Sequence, residues 1–290
     1  MDSCFIWEGV CSRTHGHPRP CKREGPTKWE GSAKPTVREH TPSQIKHESM
    51  ITAAEIKFVK SLSQKKFRDS EGLFVVEGEK MVQEALKSGF ELERIYRKEE
   101  IGQAAMARIS GLSSPSPVLA VVRKPEVAFK APSEGLYLAL DGIRDPGNLG
   151  TILRIADWFG IDAVYASEDT VELYNPKVVQ STMGAVFRIP FYTADIPSLC
   201  SSYPGKVYGT FLDGENMYKK ELSPIGIIVI GNEANGISAQ TATTVTDRLF
   251  IPPFPADDPG SESLNAAVAT AITVSEFRRR LLGGNPRLEL

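Results

Sequence analysis

Cysteine is scarce, with four in 290 residues, and three of them (Cys4, Cys11 and Cys21) fall in the first segment. Cys200 stands alone in the remainder. The folded part therefore has no disulfide framework, and the chain reads as cytosolic. His15 and His17 lie beside the early cysteines, but their spacing matches no compact zinc pattern and no metal is expected. Long apolar runs are also missing. Nothing approaches the ~20 residues of a membrane span, and the stretch after Trp7 lacks the apolar core of a secretory signal. Nor is there an excess of one charge: 34 Lys and Arg face 36 Asp and Glu, a net charge of −2. That excludes a surface coated in positive charge and leaves any nucleic-acid contact to local patches.

A chain of this length holds one large or two modest domains. Residues 1–49 carry many Pro, Gly, Ser and His and little periodicity, so they read as a disordered or non-native extension. Met50 opens MITAAEIKFVKSL, an amphipathic helix, and is a candidate translation start. From there to about Arg123 runs a second unit. A basic helical run carries Lys57, Lys60, Lys65, Lys66 and Arg68. LFVVEG at Leu73 to Gly78 reads as a strand, Lys80 to Ser88 as a helix closed by Gly89, and Leu92 to Arg97 and Val118 to Val122 as further strands. The order is an alternating α/β pattern. Residues 124–135, with Pro125 and Pro132, form a linker to a larger unit over 136–290.

In that unit Leu138 to Arg154 reads LALDGIRDPGNLGTILR, an apolar strand set directly against a glycine-rich loop and a helix start. Leu136 to Leu140 suits a buried strand, and Asp141, Gly142, Asp145, Pro146 and Gly147 are turn formers. Asn148 is expected as the N-cap of a helix over Leu149 to Phe159, with Ile152, Ile155, Ala156 and Phe159 on its apolar face and Gly160 at its C-terminal cap. Arg154 follows Asn148 in the pattern N-x-G-x-x-x-R. Neither G-x-G-x-x-G nor G-x-x-x-x-G-K-[ST] occurs in this loop, which disfavours NAD and nucleotide triphosphates.

Two more segments place small residues after apolar strands. In IGIIVIGNEANGIS, the β-branched run Ile227 to Ile230 precedes Gly231, Asn232, Glu233, Asn235 and Gly236, as in a strand covered on both faces. In LFIPPFPADDPGSESLNAAVATA, a short strand enters a Pro-rich loop and then a helix opening near Ser263. Three such strand ends converge on one crevice in an open α/β sheet.

Taken in order, these residues resemble the SpoU or TrmH family of SPOUT-class RNA ribose 2′-O-methyltransferases. Asn148, Gly150 and Arg154 resemble its first motif, Gly231 to Ser238 its second, and Ile251 and Pro252 with Ser263, Leu264 and Asn265 its third. STMGAVFRIP at Ser181 to Pro190 resembles another family stretch. Position 234 holds Ala where the family usually has Gly, a steric cost wherever that backbone needs positive φ. The loop from Ile251 to Ser263 looks longer than usual.

The resemblance implies an α/β trefoil-knot methyltransferase domain preceded by a small L30e-like RNA-binding domain, with S-adenosylmethionine as cofactor, ribosomal or transfer RNA as partner, and a homodimer formed through the last helix, Ser263 to Leu282. It implies Arg154 as the catalytic residue, with Asn148, Glu233, Ser263 and Asn265 as supporting polar groups. Cofactor contacts are implied near Thr210, Gly231, Ile251 and Leu264. RNA contacts are expected at Lys57, Lys65, Lys66 and Arg68. Two competing readings are a catalytically silent RNA-binding relative and a Rossmann-type nucleotide-dependent oxidoreductase.

Overall fold

The computed structural model describes residues 51–255 and 263–284. The readings made on residues 1–49, on Met50 and on most of the Pro-rich loop lie outside the described residues.

The N-terminal lobe begins with α1 (Ala53–Ser61), which Thr52 and Glu55 start reciprocally. The Thr52 side chain accepts from the Glu55 N–H, and the Glu55 carboxylate accepts from the Thr52 N–H, so two otherwise orphaned donors are satisfied. The basic run is two helices, because the chain turns after Leu62 before α2 (Lys65–Glu71) begins. Then follow β1 (Leu73–Glu77), α3 (Glu79–Ser88), β2 (Leu92–Arg97), the short α4 (Lys98–Ile101) and α5 (Gln103–Ile109), and β3 (Val118–Arg123). The strands form an antiparallel sheet ordered β1-β3-β2. Ile56, Val59, Leu73, Met106 and Leu119 pack on one face of it, and Phe74, Val76, Met81, Val82 and Ala120 on the other.

The C-terminal lobe runs β4 (Leu136–Asp141), α6 (Pro146–Trp158), β5 (Ala163–Ala166), α7 (Pro176–Thr182), β6 (Phe191–Thr193), α8 (Ile196–Ser202), β7 (Val207–Asn216), β8 (Gly226–Gly231), α9 (Ala239–Ala242), β9 (Asp247–Phe250) and α10 (Ala266–Gly284). Its six strands are parallel in the order β6-β5-β4-β8-β7-β9. The continuous apolar run of β4 is explained by alternation between two buried faces. Leu136, Leu138 and Leu140 join the core beneath α6 and α10, while Tyr137 and Ala139 join the core beneath α8. β4 sits between β5, which follows it in sequence, and β8, which comes from later in the chain. The crevice beyond the carboxyl ends of β4 and β8 is therefore a topological switch point.

The lobes share a core. Val179, Val186 and Phe187, from α7 and the 3-10 turn after it, pack with Phe74, Val76, Met81 and Val82. Arg68 reaches across to Glu172, and Arg188 pairs with both Glu84 and Asp157. The linker is fixed as well. The Tyr165 hydroxyl donates to the Lys130 carbonyl at 2.7 Å, the Tyr203 hydroxyl donates to the Ser133 carbonyl at 3.2 Å, and the Ser133 N–H donates to the Tyr137 hydroxyl at 3.1 Å. Burial raises the Tyr165 phenol above its ordinary pKa, which keeps that donor protonated.

Candidate active site

The loop after β4 is capped by Asp145, not by Asn148. Asp145 accepts the Asn148 N–H at 2.8 Å, and Pro146 occupies the first helical turn, where a missing N–H costs nothing. Asn148 therefore lies inside α6, and its side chain is released for longer-range contacts. At the other end Gly160 adopts φ 62°, the left-handed turn that closes a helix.

Gly150 of the N-x-G-x-x-x-R pattern serves a packing contact. A Cβ there would lie 2.3 Å from Ser181 Cβ and 3.0 Å from the Val178 carbonyl, so only glycine lets α6 and α7 touch at this point. Gly231 ends β8 under a similar constraint. A Cβ on it would meet the Gly236 and Ile237 backbone at 2.2 Å, because residues 232–236 fold back in a tight turn joined by reciprocal hydrogen bonds between Asn232 and Gly236. Gly236 supplies the left-handed residue at φ 68°. Ala234 does not, since Met183 is the one non-glycine residue with positive φ among the described residues. The steric cost expected for a methyl group at Ala234 does not arise.

Side chains join the loops at the switch point. The Asn232 amide donates to the Gly142 carbonyl at 2.7 Å, and Asp141 accepts the Ser238 N–H at 2.8 Å. Glu233 accepts a short hydrogen bond from Asn148 Nδ2, Asn148 Oδ1 accepts from Asn265 Nδ2 at 2.9 Å, and Asn265 Oδ1 accepts the Ala267 and Val268 N–H groups at 3.0 and 3.2 Å. Every orientation in this relay is set by its ends, because a carboxylate only accepts and a helix N-terminus only donates. Asn265 is thus the cap of α10, which begins at Ala266 and not near Ser263. Ser263 is exposed and has no hydrogen-bond partner among the described residues.

Arg154 stands exposed on α6 and also has no hydrogen-bond or ion-pair partner among the described residues. With Asn148, Thr151 and Ile155 it lines a groove of about 590 Å³, whose other walls are Gln180, Ser181 and Met183 from the α7 end and Asn265, Ala267, Val268 and Ala271 from the start of α10. The α7 wall was not assigned to the site by sequence; its signal was the small-residue STMG stretch. Asp145 reads in the sequence only as a turn former, and Asn232 only as part of the Gly231 to Ser238 stretch.

Thr210, Gly231 and Ile251 all fall at the carboxyl edge of the sheet. Thr210 pairs in register with Leu249, and Gly231 with Asp141. β7 leaves its ladder with β9 between Thr210 and Glu215. Ile251 is half-buried against the core, and Leu264 is 45 % exposed.

Arg68 departs from expectation. Its side chain is 2 % exposed; Nη1 donates to the Leu62 and Ser63 carbonyls at 2.9 and 2.8 Å, and Nε and Nη2 engage Glu172. Both carbonyls lie in the turn between α1 and α2. Arg68 is an assembly residue and not a surface contact. Lys57, Lys60, Lys65 and Lys66 are exposed, with Lys65 paired to Asp69. Cys200 is buried, and burial pushes its thiol up to about 11, so it is an inert core residue.

A family model described as the SpoU rRNA Methylase family matches residues 135–275, and one described as an MRM3-like substrate binding domain matches residues 53–124. The 23S rRNA (guanosine(2553)-2′-O)-methyltransferase RlmP of Bacillus subtilis is 32 % identical over 243 residues, covering 77 % of this chain and 96 % of its own. Among solved structures, a TrmH-family protein from Porphyromonas gingivalis is 38 % identical with a TM-score of 0.71, covering 80 % of this chain and 100 % of that one. The AdoMet-bound rRNA methyltransferase from Sinorhizobium meliloti is 28 % identical with a TM-score of 0.72, over 81 % of this chain and 98 % of that one. Sequence, fold and converging loops agree: the chain belongs to the SpoU rRNA methylase family.

Proposed function

We propose that this chain is an S-adenosylmethionine-dependent RNA ribose 2′-O-methyltransferase that acts on ribosomal RNA, with Arg154 touching the reacting oxygen. The observation that carries the reading is the Glu233–Asn148–Asn265 relay, which ties the loop after β8, the start of α6 and the cap of α10 together beside the groove that Arg154 lines.

When bound, the cofactor supplies an electrophilic sulfonium methyl. Thr210, Gly231, Ile251 and Leu264 would hold it, the first three through backbone at the sheet edge and Leu264 through its apolar side chain. A ribose 2′-hydroxyl is a weak nucleophile until its proton is drawn off or its developing charge is stabilised. A guanidinium carries five N–H donors and no acceptor and is a poor base, so Arg154 acts as a donor fork for the forming alkoxide. Asn148, held at both ends of its amide, keeps that wall of α6 rigid and presents a fixed dipole to the ribose. Ser263, just ahead of the relay, is available to substrate.

The exposed lysines Lys57, Lys60, Lys65 and Lys66 form the patch proposed to meet phosphate. Two exposed apolar residues on the helices around the groove, Trp158 at 85 % and Val268 at 46 %, support a homodimer through α6 and α10. Arg280 donates to the Met217 carbonyl at 2.6 Å and also binds the Lys220 carbonyl; this anchoring of the last helix against the segment after β7 supports the threaded trefoil topology. No helix of the described residues is long and apolar enough to cross a membrane, and the cytoplasm is the proposed compartment.

The test is transfer of labelled methyl from S-adenosylmethionine to rRNA from cells lacking the gene, followed by nuclease digestion and mass spectrometry. A 2′-O-methylated nucleoside at one position is expected. Methylation confined to a base, or none in total RNA, would overturn the reading.

A further inference from the structure

α7 ends in a residue held against its own preference. Met183 has φ 51° and ψ 34°, the left-handed region that a side chain disfavours and glycine accepts freely. Both neighbours enforce it. Thr182 is buried and its hydroxyl donates to the Val179 carbonyl at 2.7 Å. Gly184 has φ 98°, and a Cβ there would come within 2.8 Å of Glu84 Cγ on α3 of the N-terminal lobe. Beyond it, Ala185, Val186 and Phe187 are buried, the last two in the core shared by both lobes.

The backbone is thus clamped by inter-lobe packing, while the Met183 side chain is left 39 % exposed, facing the groove opposite Arg154 and Asn148. Glycine would relieve the backbone strain and lose only the contacts of the part-buried side chain. Strain retained beside a reacting group points to use of the side chain, and an unbranched, polarizable thioether suits the flat face of a nucleobase.

We propose that Met183 is a positioning residue for the substrate: its side chain packs on the base of the target nucleotide, where RNA passes from the N-terminal lobe into the groove, and so sets the ribose against Arg154. This rests on the ribose methyltransferase reading above.

Full-length Met183→Gly, Met183→Asn and Met183→Leu would be compared in steady-state methylation of rRNA from cells lacking the gene, with melting temperature and S-adenosylhomocysteine affinity measured in parallel. Met183→Gly should stay folded, its relieved backbone strain offsetting part of the packing it loses, yet its KM for RNA should rise by about tenfold, the scale of one lost base contact. Met183→Asn, which tolerates left-handed backbone, should behave alike and serves if the glycine variant does not fold. Met183→Leu should restore most of the loss, and cofactor affinity should stay within about twofold in all three, well under the tenfold that 1.4 kcal/mol represents. With wild type active, an unchanged KM in Met183→Gly and Met183→Asn, or an equal loss of cofactor affinity, would overturn the proposal alone. A wild type that methylates no ribose would overturn the functional reading, and this proposal with it.

Discussion

Arg68→Ala separates assembly of the two lobes from contact with RNA. In the wild type the guanidinium is 2 % exposed and satisfies the Leu62 and Ser63 carbonyls and the Glu172 carboxylate. Alanine leaves all three groups behind in a space that water enters poorly. Glu172, whose side chain is 16 % exposed, keeps only Lys124 at 3.2 Å. Removing one partner of a buried ion pair costs about 3–5 kcal/mol. Each orphaned carbonyl adds about 1 kcal/mol at the low end of the range, and the remaining Lys124 offsets part of this. The net expectation is a loss of about 3–5 kcal/mol, which at roughly 2–4 °C per kcal/mol for a chain of this size lowers the melting temperature by roughly 6–20 °C. Lys66→Ala, on the same helix but exposed, should change stability by no more than about 0.5 kcal/mol. Urea unfolding of both variants, with RNA affinity measured at a temperature where each is folded, is the assay. An Arg68→Ala protein as stable as wild type but weaker in RNA binding would refute the burial argument and return Arg68 to the surface patch.

Gly231→Ala forces a methyl group into the Gly236 and Ile237 backbone, so calorimetry should show S-adenosylhomocysteine binding lost or severely weakened while the far-UV spectrum persists. Lys57, Lys60 and Lys66 changed together to Glu should weaken RNA binding and flatten its dependence on salt, since fewer counterions are released; an unchanged slope would put the RNA elsewhere. Glu276, 6 % exposed in α10, is lowered from 4.5 to about 2, chiefly by its hydrogen bond from Arg279 and then by Arg280. A depressed carboxyl stabilises the fold above its unfolded value and ceases to as pH falls through the folded one. The stability gap between wild type and Glu276→Gln should therefore be full above pH 4.5 and shrink toward pH 2, and a gap that widens on acidification would contradict the assignment.

Much of this was legible in the sequence for identifiable reasons. Leu136–Asp141 and Gly226–Gly231 are apolar without interruption because both sheet faces are covered, and small residues immediately follow each. The structure brings Asn148, Glu233 and Asn265 into one relay as neighbours across 85 and 117 positions of chain. What failed did so where a competing local signal or a distant partner decided. Asp145 before Pro146 is the stronger cap, and it displaced Asn148 from that role. Arg68 looks like its basic neighbours until Glu172, 104 residues away, is placed against it. Nothing in the periodicity of Phe211 to Gly214 reveals that β7 leaves its ladder there, because register is set by the partner strand.

The central claim is that Arg154 acts on charge that develops during reaction and not on ground-state binding. Single-turnover methylation of rRNA by Arg154→Ala, with S-adenosylmethionine affinity measured in the same preparation, tests it most directly. The rate should fall on the order of 10²–10³-fold, the usual cost of one preorganised donor, while cofactor affinity stays within about threefold, the pattern of a lost transition-state interaction. Arg154→Lys, which keeps the charge but not the planar fork, should recover little. An Arg154→Ala protein that methylates its RNA at a near-normal rate would make Arg154 an ordinary surface residue of α6 and contradict the account.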